Sequence, residues 1–213
     1  EELCRVQSAR ECCAKAEFAA FLRMGGNLHI GARQSVAISV VTENAAVARK
    51  YYNMAKELFG LSVEIMVHKK QTLKKNSVYR LYMPMQERIV DVLALLGMAN
   101  IWQAPTSPAP LVKNPCCRRH YLRGAFLGGG SISDPENAYH LEISCNSGEH
   151  RDFLIDLAQS FSLAPKKLER KGAYVLYLKE SEQIVDFLNI VGAHQALLEF
   201  ENTMNYNPSI VFN

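Results

Sequence analysis

The sequence lacks any apolar run approaching the ~18 residues that a membrane-spanning helix needs; charges break its longest stretches well before that. It lacks a basic-then-apolar leader with a cleavage pattern, so no secretory signal is expected and a cytoplasmic location is. No CxxC, HExxH or Cys/His pair stands at zinc-ligand spacing, and neither GxxxxGK[ST] nor a strand followed by GxGxxG is present. A bound metal, a nucleotide loop and a cofactor are therefore not expected. Net charge is slight as well: 24 Lys+Arg against 21 Asp+Glu leave +3, which is compatible with a nucleic-acid partner without demanding one.

What is present is an ordinary globular balance, 48% hydrophobic and 21% charged, and this excludes a disordered tail, a collagen-like repeat and a coiled coil. The six cysteines (Cys4, Cys12, Cys13, Cys116, Cys117 and Cys145) include two adjacent pairs, a poor disulfide framework in 213 residues. They read as reduced thiols used as small apolar side chains. The six histidines show no ligand spacing.

The two Cys pairs open a repeat. Cys12-Cys13 begins CCAKAEFAAFLRMGGN, and 104 residues later Cys116-Cys117 begins CCRRHYLRGAFLGGGS, with no gap across the segment. Val78 to Met83 then matches Ala173 to Leu178, and IVDVLALLG (Ile89 to Gly97) matches IVDFLNIVG (Ile184 to Gly192), both at an offset of 95. Matching segments in the same order mark a duplication. Two copies are too few for a solenoid, so they are expected to pack as a pseudo-symmetric pair. Between them, residues 99–115 hold four of the eight prolines and read as a linker, with Trp102 placed to dock on a partner or pack down.

Each copy carries the same pattern. A helix is expected from Cys12 to Met24 and from Cys117 to Gly128, then a short strand at Leu28 to Ile30 and at Ser131 to Ser133. A second strand alternates, with Val36, Ile38 and Val40 on one face in the first copy and Leu141, Ile143 and Cys145 in the second. A helix follows at Ala45 to Phe59 and at Glu149 to Phe161. Next comes a hairpin: Ser62 to His68 with Val78 to Met83, and Lys166 to Arg170 with Tyr174 to Leu178. A closing helix stops at Gly97 or Gly192, a left-handed C-terminal glycine. The class is α+β, two pseudo-symmetric αββαββα halves with helices on one sheet face.

In the second copy, Gly124 and Gly128 are four residues apart and share one helix face, where a glycine stripe lets another backbone approach. The first copy has Ala20 and Met24 there, so the two helices are expected to meet along Ala20, Met24, Gly124 and Gly128.

The segment LRGAFLGGGS (Leu122 to Ser131) resembles the signature helix of the LAGLIDADG homing endonucleases, and the unit order resembles that family's half-domain. The resemblance implies that two such helices pack at a pseudo-two-fold axis and that two saddle-shaped sheets lie on DNA. It also implies that the acidic residue before the motif's final glycine holds catalytic metal. Gly26 and Gly130 match that final glycine, so the acid positions fall on Gly25 and Gly129; the motif's earlier acidic position is Arg23 and Leu127. Asp134 and Glu17 lie nearby but match neither position. Without carboxylates nothing at the axis would hold a divalent metal or activate water. The fold is thus expected and the nuclease chemistry is not; an active homing endonuclease is the disfavoured alternative.

The strings CCRRHYLRGAFLGGGSISDPENAYHLE and LKESEQIVDFLNIVGAHQALLEFEN, with the opening EELCR, are similar to the bacterial WhiA family over nearly the whole chain to about Asn202. The resemblance implies a degenerate LAGLIDADG-like N-terminal domain joined to a C-terminal helix-turn-helix domain. It further implies transcriptional control of sporulation, with links to cell division and chromosome segregation, and association with the nucleoid. On this reading residues 1–98 are the first half, 99–115 the linker, 116–202 the second half and 203–213 an atypical tail, the helix-turn-helix domain being absent from these residues. The exposed stripe from Ala196 to Glu201 would lead toward it.

Charge is uneven. Cys12 to Met98 holds 12 Lys+Arg and 6 Asp+Glu, whereas Cys116 to Ala193 holds 9 and 10. The polar sides of the alternating strands (Ala37, Ser39 and Val41; His140, Glu142 and Ser144) would face DNA in the family fold, and they contain no Lys or Arg. Basic residues gather instead at expected hairpin tips: Lys69, Lys70, Lys74 and Lys75, then Lys166, Lys167, Arg170 and Lys171. These are solvated turns or sequence-independent phosphate contacts. The expected DNA affinity is accordingly weak and non-specific. The competing class is a protein-interaction module whose former DNA groove holds another protein or the C-terminal domain.

Overall fold

The structure, a computed structural model, describes residues 1–32, 35–69, 77–98, 107–133, 140–170 and 172–206, the last four by their backbone alone. Its first half runs α1 (Glu2–Arg5), α2 (Glu11–Gly25), β1 (Gly26–Ile30), β2 (Val36–Thr42), α3 (Ala45–Phe59), β3 (Glu64–Lys69), β4 (Ser77–Met83) and α4 (Arg88–Leu95). A short 3-10 turn at Ala109–Val112 precedes the second half. That half runs α5 (Pro115–Gly129), β5 (Gly130–Ile132), β6 (Leu141–Cys145), α6 (Gly148–Gln159), β7 (Lys166–Arg170), β8 (Ala173–Leu178), α7 (Ser181–Val191) and α8 (His194–Tyr206). The class is α+β, built from two four-stranded antiparallel sheets ordered β1-β2-β4-β3 and β5-β6-β8-β7.

Register follows the alternation. Ile38 pairs with Leu28 and Met83, and Val40 with Leu81. In the second sheet Leu141 pairs with Leu178 and Ile143 with Leu176. Val36, Ile38, Val40, Leu81 and Met83 are all buried on the helix-covered face. Helix α3 starts because the Asn44 side chain accepts from the Ala46 and Val47 N–H groups at 2.9 and 3.2 Å. Helices α4 and α7 end on Gly97 (φ +67°) and Gly192 (φ +84°), left-handed positions that glycine takes without a Cβ clash.

Helix α2 buries an unbroken run from Ala16 to Leu22, not a single stripe, and α5 buries every residue from Tyr121 to Ala125. A helix buried nearly all round belongs at the centre of a molecule. Here α2 and α5 pack on each other between the two sheets. Phe21 of α2 stacks on Tyr51 of α3 with ring centroids 3.5 Å apart, while Phe126 of α5 tilts against Phe187 of α7 at 5.5 Å. Such ring pairs add about 0.5–1.5 kcal/mol each beyond the area they bury.

Several boundaries differ from the sequence reading by one or two residues, and two of the differences bear on the architecture. Strand β1 begins at Gly26, two residues early, because the chain passes from α2 into the sheet with no intervening loop. Helix α8 continues through Tyr206, so the first four residues assigned to the tail are helical. Trp102 and Asp134 lie outside the described residues.

Candidate nucleic-acid interface

The axis between the halves is a row of equivalent residues. Cys13, Glu17, Ala20 and Met24 on α2 stand at spacings of four, three and four, and Cys117, Tyr121, Gly124 and Gly128 on α5 repeat them 104 residues later. This is the stripe that keeps one face of a helix against a partner. A Cβ added at Gly124 would collide with the Glu17 carbonyl oxygen and come within 3.0 Å of the Ala20 Cβ. At Gly128 it would lie 2.7 Å from the Met24 Cβ. The two glycines thus set how closely the backbones approach.

Charge is buried beside this row. Glu17 is fully buried, its Oε1 2.6 Å from Lys50 Nζ of α3 and its Oε2 3.4 Å from Arg123 of α5. Lys50 also donates to the Leu3 and Val6 carbonyls at 2.9 Å, fastening the N-terminal segment. Arg123 Nε donates to the Val191 carbonyl at 2.6 Å, at the end of α7, and Arg23 donates to the Gly97 carbonyl at 2.7 Å, after α4. Each half therefore ties its closing helix to the axis with an arginine, although Arg23 and Arg123 are not equivalent positions. Sequence reasoning missed this network, because Glu17, Lys50 and Arg123 come from three helices with no common spacing. Nearby, the Tyr121 hydroxyl meets His150 Nε2 at 3.0 Å. Burial, and then the Arg23 charge, push the His150 imidazole down to about 4.

At the opposite end of the helix pair from the cysteines sit the two positions that match the motif's catalytic acids. Gly25 and Gly129 are the last residues of α2 and α5. Gly25 has room, its nearest neighbour to an added Cβ being Val40 Cγ1 at 3.6 Å. Gly129 has none, since an added Cβ would lie 2.5 Å from Met24 Cε and 2.6 Å from the Ser144 carbonyl oxygen. Glu17 lies two helical turns away and is held by Lys50 and Arg123. Among the described residues, the group of three or more potential ligands close enough to share a cation is Cys12, Cys13 and Cys117, at the far end. The residues at Gly25 and Gly129 do not fit a nuclease metal.

The open sheet faces differ from expectation. Ala37 and Ser39 are buried, because these small side chains lie beneath His29 and Tyr82: His29 Nε2 is 2.8 Å from Ser39 Oγ, and the His29 and Tyr82 rings meet edge-on. The face does carry cations. Val41 pairs with Arg80, so exposed Arg80 shares the face of Ser39 and Val41. Glu142 pairs with Tyr177 and Tyr177 with Lys166, so Lys166 and, four residues on, Arg170 share the face of Glu142. Lys179 adds its ammonium over the Tyr177 ring at 5.5 Å. Lys166, Lys167 and Arg170 are therefore strand residues and not a turn cluster, and Lys69 is the last residue of β3. Lys70, Lys74, Lys75 and Lys171 lie outside the described residues.

Two of the second half's acids are placed elsewhere. Asp152 and Glu169 pair with Arg151 at 2.9 and 3.4 Å, and Lys167 approaches Asp152 at 3.7 Å, all on the helix side of the sheet. Glu142 itself is engaged by His140 at 3.3 Å, and His140 stacks on Tyr177. A net charge summed over the half hides this segregation.

Comparison with known proteins places these features. The family model of the WhiA N-terminal LAGLIDADG-like domain matches residues 11–99, and that of the WhiA LAGLIDADG-like domain matches residues 118–206. A protein of Heliobacterium modesticaldum named "Probable cell division protein WhiA" is 48% identical over 205 residues, 95% of this chain and 64% of its own length. The chain thus spans just under two thirds of that relative. The crystal structure of full-length WhiA from Thermatoga maritima superposes with a TM-score of 0.76 at 22% identity, over 97% of this chain and 64% of that one. I-DmoI in complex with DNA and manganese superposes with a TM-score of 0.58 at 12% identity, over 84% and 97%. No helix among the described residues is long and apolar enough to cross a membrane.

Proposed function

The chain belongs to the WhiA family, and from that premise we propose that it is the DNA-contacting scaffold of a bacterial transcriptional regulator, with nuclease activity lost. The regulator acts in sporulation, cell division and chromosome segregation, at the nucleoid. One observation carries the reading. Gly129 is walled in by Met24 and the Ser144 carbonyl where the nuclease motif needs a carboxylate, while the open sheet faces keep Arg80, Lys166 and Arg170. Phosphate contacts from such side chains position a duplex without reading its sequence. Base readout then belongs to the helix-turn-helix domain that the family resemblance implies.

Two measurements on the 213-residue chain test this. Fluorescence anisotropy with a random duplex, repeated over a salt series, should give micromolar or weaker binding that falls steeply with salt. Plasmid incubated with Mg²⁺ or Mn²⁺ should stay intact. Metal-dependent cleavage that survives repurification overturns the loss of nuclease activity. Absence of any salt-dependent binding overturns the DNA-contacting role and leaves the open faces to a protein partner.

A further inference from the structure

We infer that the four thiols at the N-terminal ends of α2 and α5, two from each half, form a closed binding site for a single zinc ion. The inference is independent of the DNA reading.

The geometry is that of a thiolate site. Cys13 Sγ and Cys117 Sγ are 4.0 Å apart, and both residues are buried at 2% exposure. The sulfurs of Cys12, Cys13 and Cys117 all lie within 4.8 Å of one another. Cys116 adjoins Cys117 and lies outside that group; turning its half-buried side chain inward adds the fourth sulfur. A zinc–sulfur bond of about 2.3 Å in a tetrahedron places neighbouring sulfurs about 3.8 Å apart, so small side-chain adjustments bring the sulfurs of Cys12, Cys13 and Cys117 onto one ion. Sulfur ligands select a soft ion of the zinc type over magnesium, calcium or manganese.

The four thiols sit in the first turns of two helices. Both helices begin without a side-chain cap: neither Arg10 before α2 nor Asn114 before α5 bonds to the first turn. The positive ends of two helix dipoles lie at these turns. The Arg10 charge acts on Cys116 and offsets the negative charge of a four-thiolate zinc centre. Cys12 is exposed and gives the ion a way in. Zinc binding by thiols releases their protons, so its affinity falls on acidification. Sequence spacing hides the site, because each half supplies an adjacent pair and the pairs are 104 residues apart.

Isolation of the 213-residue chain under reducing conditions without chelator, followed by elemental analysis, should give one zinc per chain. A mercurial that titrates thiols should release that equivalent. Cys117→Ser and Cys13→Ser should lose stoichiometric zinc, whereas Cys145→Ser, in β6, should keep it. Protection from iodoacetamide, read by peptide mass spectrometry on the unmodified chain, does not depend on how any variant folds. Zinc should slow alkylation of Cys12, Cys13, Cys116 and Cys117 at least tenfold and leave Cys4 unchanged. Equal alkylation with and without micromolar zinc overturns the site. So does zinc retained when all four are serine, or a native disulfide between Cys13 and Cys117.

Discussion

Arg123 of the second half ends 3.4 Å from Glu17 of the first, with both side chains buried, and Lys50 closes on the other carboxylate oxygen. Removing the acid leaves two cations in the interior. Glu17→Ala should cost about 3–5 kcal/mol of stability, the usual penalty for breaking one side of a buried ion pair. Urea denaturation checks it. A loss below about 1 kcal/mol would mean that water reaches both cations.

Close approach of the helices makes Gly124 the least tolerant position on α5. Gly124→Leu has to push the Glu17 backbone and Ala20 away, and overpacking of this kind costs about 1–3 kcal/mol or more. The variant should melt several degrees lower. An unchanged melting temperature would show that the helix pair can separate without loss.

Tyr51 offers a contrasting case. Its ring stacks on Phe21, but its hydroxyl is buried with no hydrogen-bond partner among the described residues. Tyr51→Phe keeps the stack and removes an unsatisfied polar group, so stability should be unchanged or higher by about 1 kcal/mol. A clear loss in thermal or urea denaturation would reveal a hidden partner, such as a bound water.

His150 should make the fold sensitive to acid. Its folded value of about 4 lies below the ordinary value of about 6.5, so the unfolded chain binds the proton first as pH falls. The contribution is full above pH ~6.5 and is lost progressively down to pH ~4; the shift corresponds to about 3 kcal/mol at most. His150→Gln should flatten that limb. Urea midpoints at pH 7 and pH 4.5 for both proteins measure the difference.

For DNA, charge reversal at Lys166 and Arg170 should weaken binding to every duplex alike and reduce the salt slope by about one for each lost phosphate contact. Joint removal of Lys69, Lys70, Lys74 and Lys75 should act in the same direction. Anisotropy at three salt concentrations separates the two sets. A variant that weakened binding to one sequence only would place base readout in this chain.

Much of the architecture was legible in the chain itself. The repeat of the Cys-Cys segments, the alternation at Val36, Ile38 and Val40, and the stops at Gly97 and Gly192 are local patterns with local causes. What escaped notice depends on registration between distant segments. That Lys166 faces the same way as Glu142 follows only from the pairing of β6, β8 and β7. That Ser39 is covered depends on His29 from the neighbouring strand. Cys13 and Cys117 meet because two helices cross, which no spacing within either helix discloses.

The contact row between α2 and α5 also decides which halves can associate. Two first halves would set Met24 against Met24 where space exists only for glycine. Two second halves would face Gly124 with Gly124 and Gly128 with Gly128, leaving voids that cost stability through lost contacts. Only the unlike pair fills the seam. Produced as separate polypeptides, the halves should assemble one-to-one with each other and reject themselves, which makes the duplication a lock and its key carried on one strand.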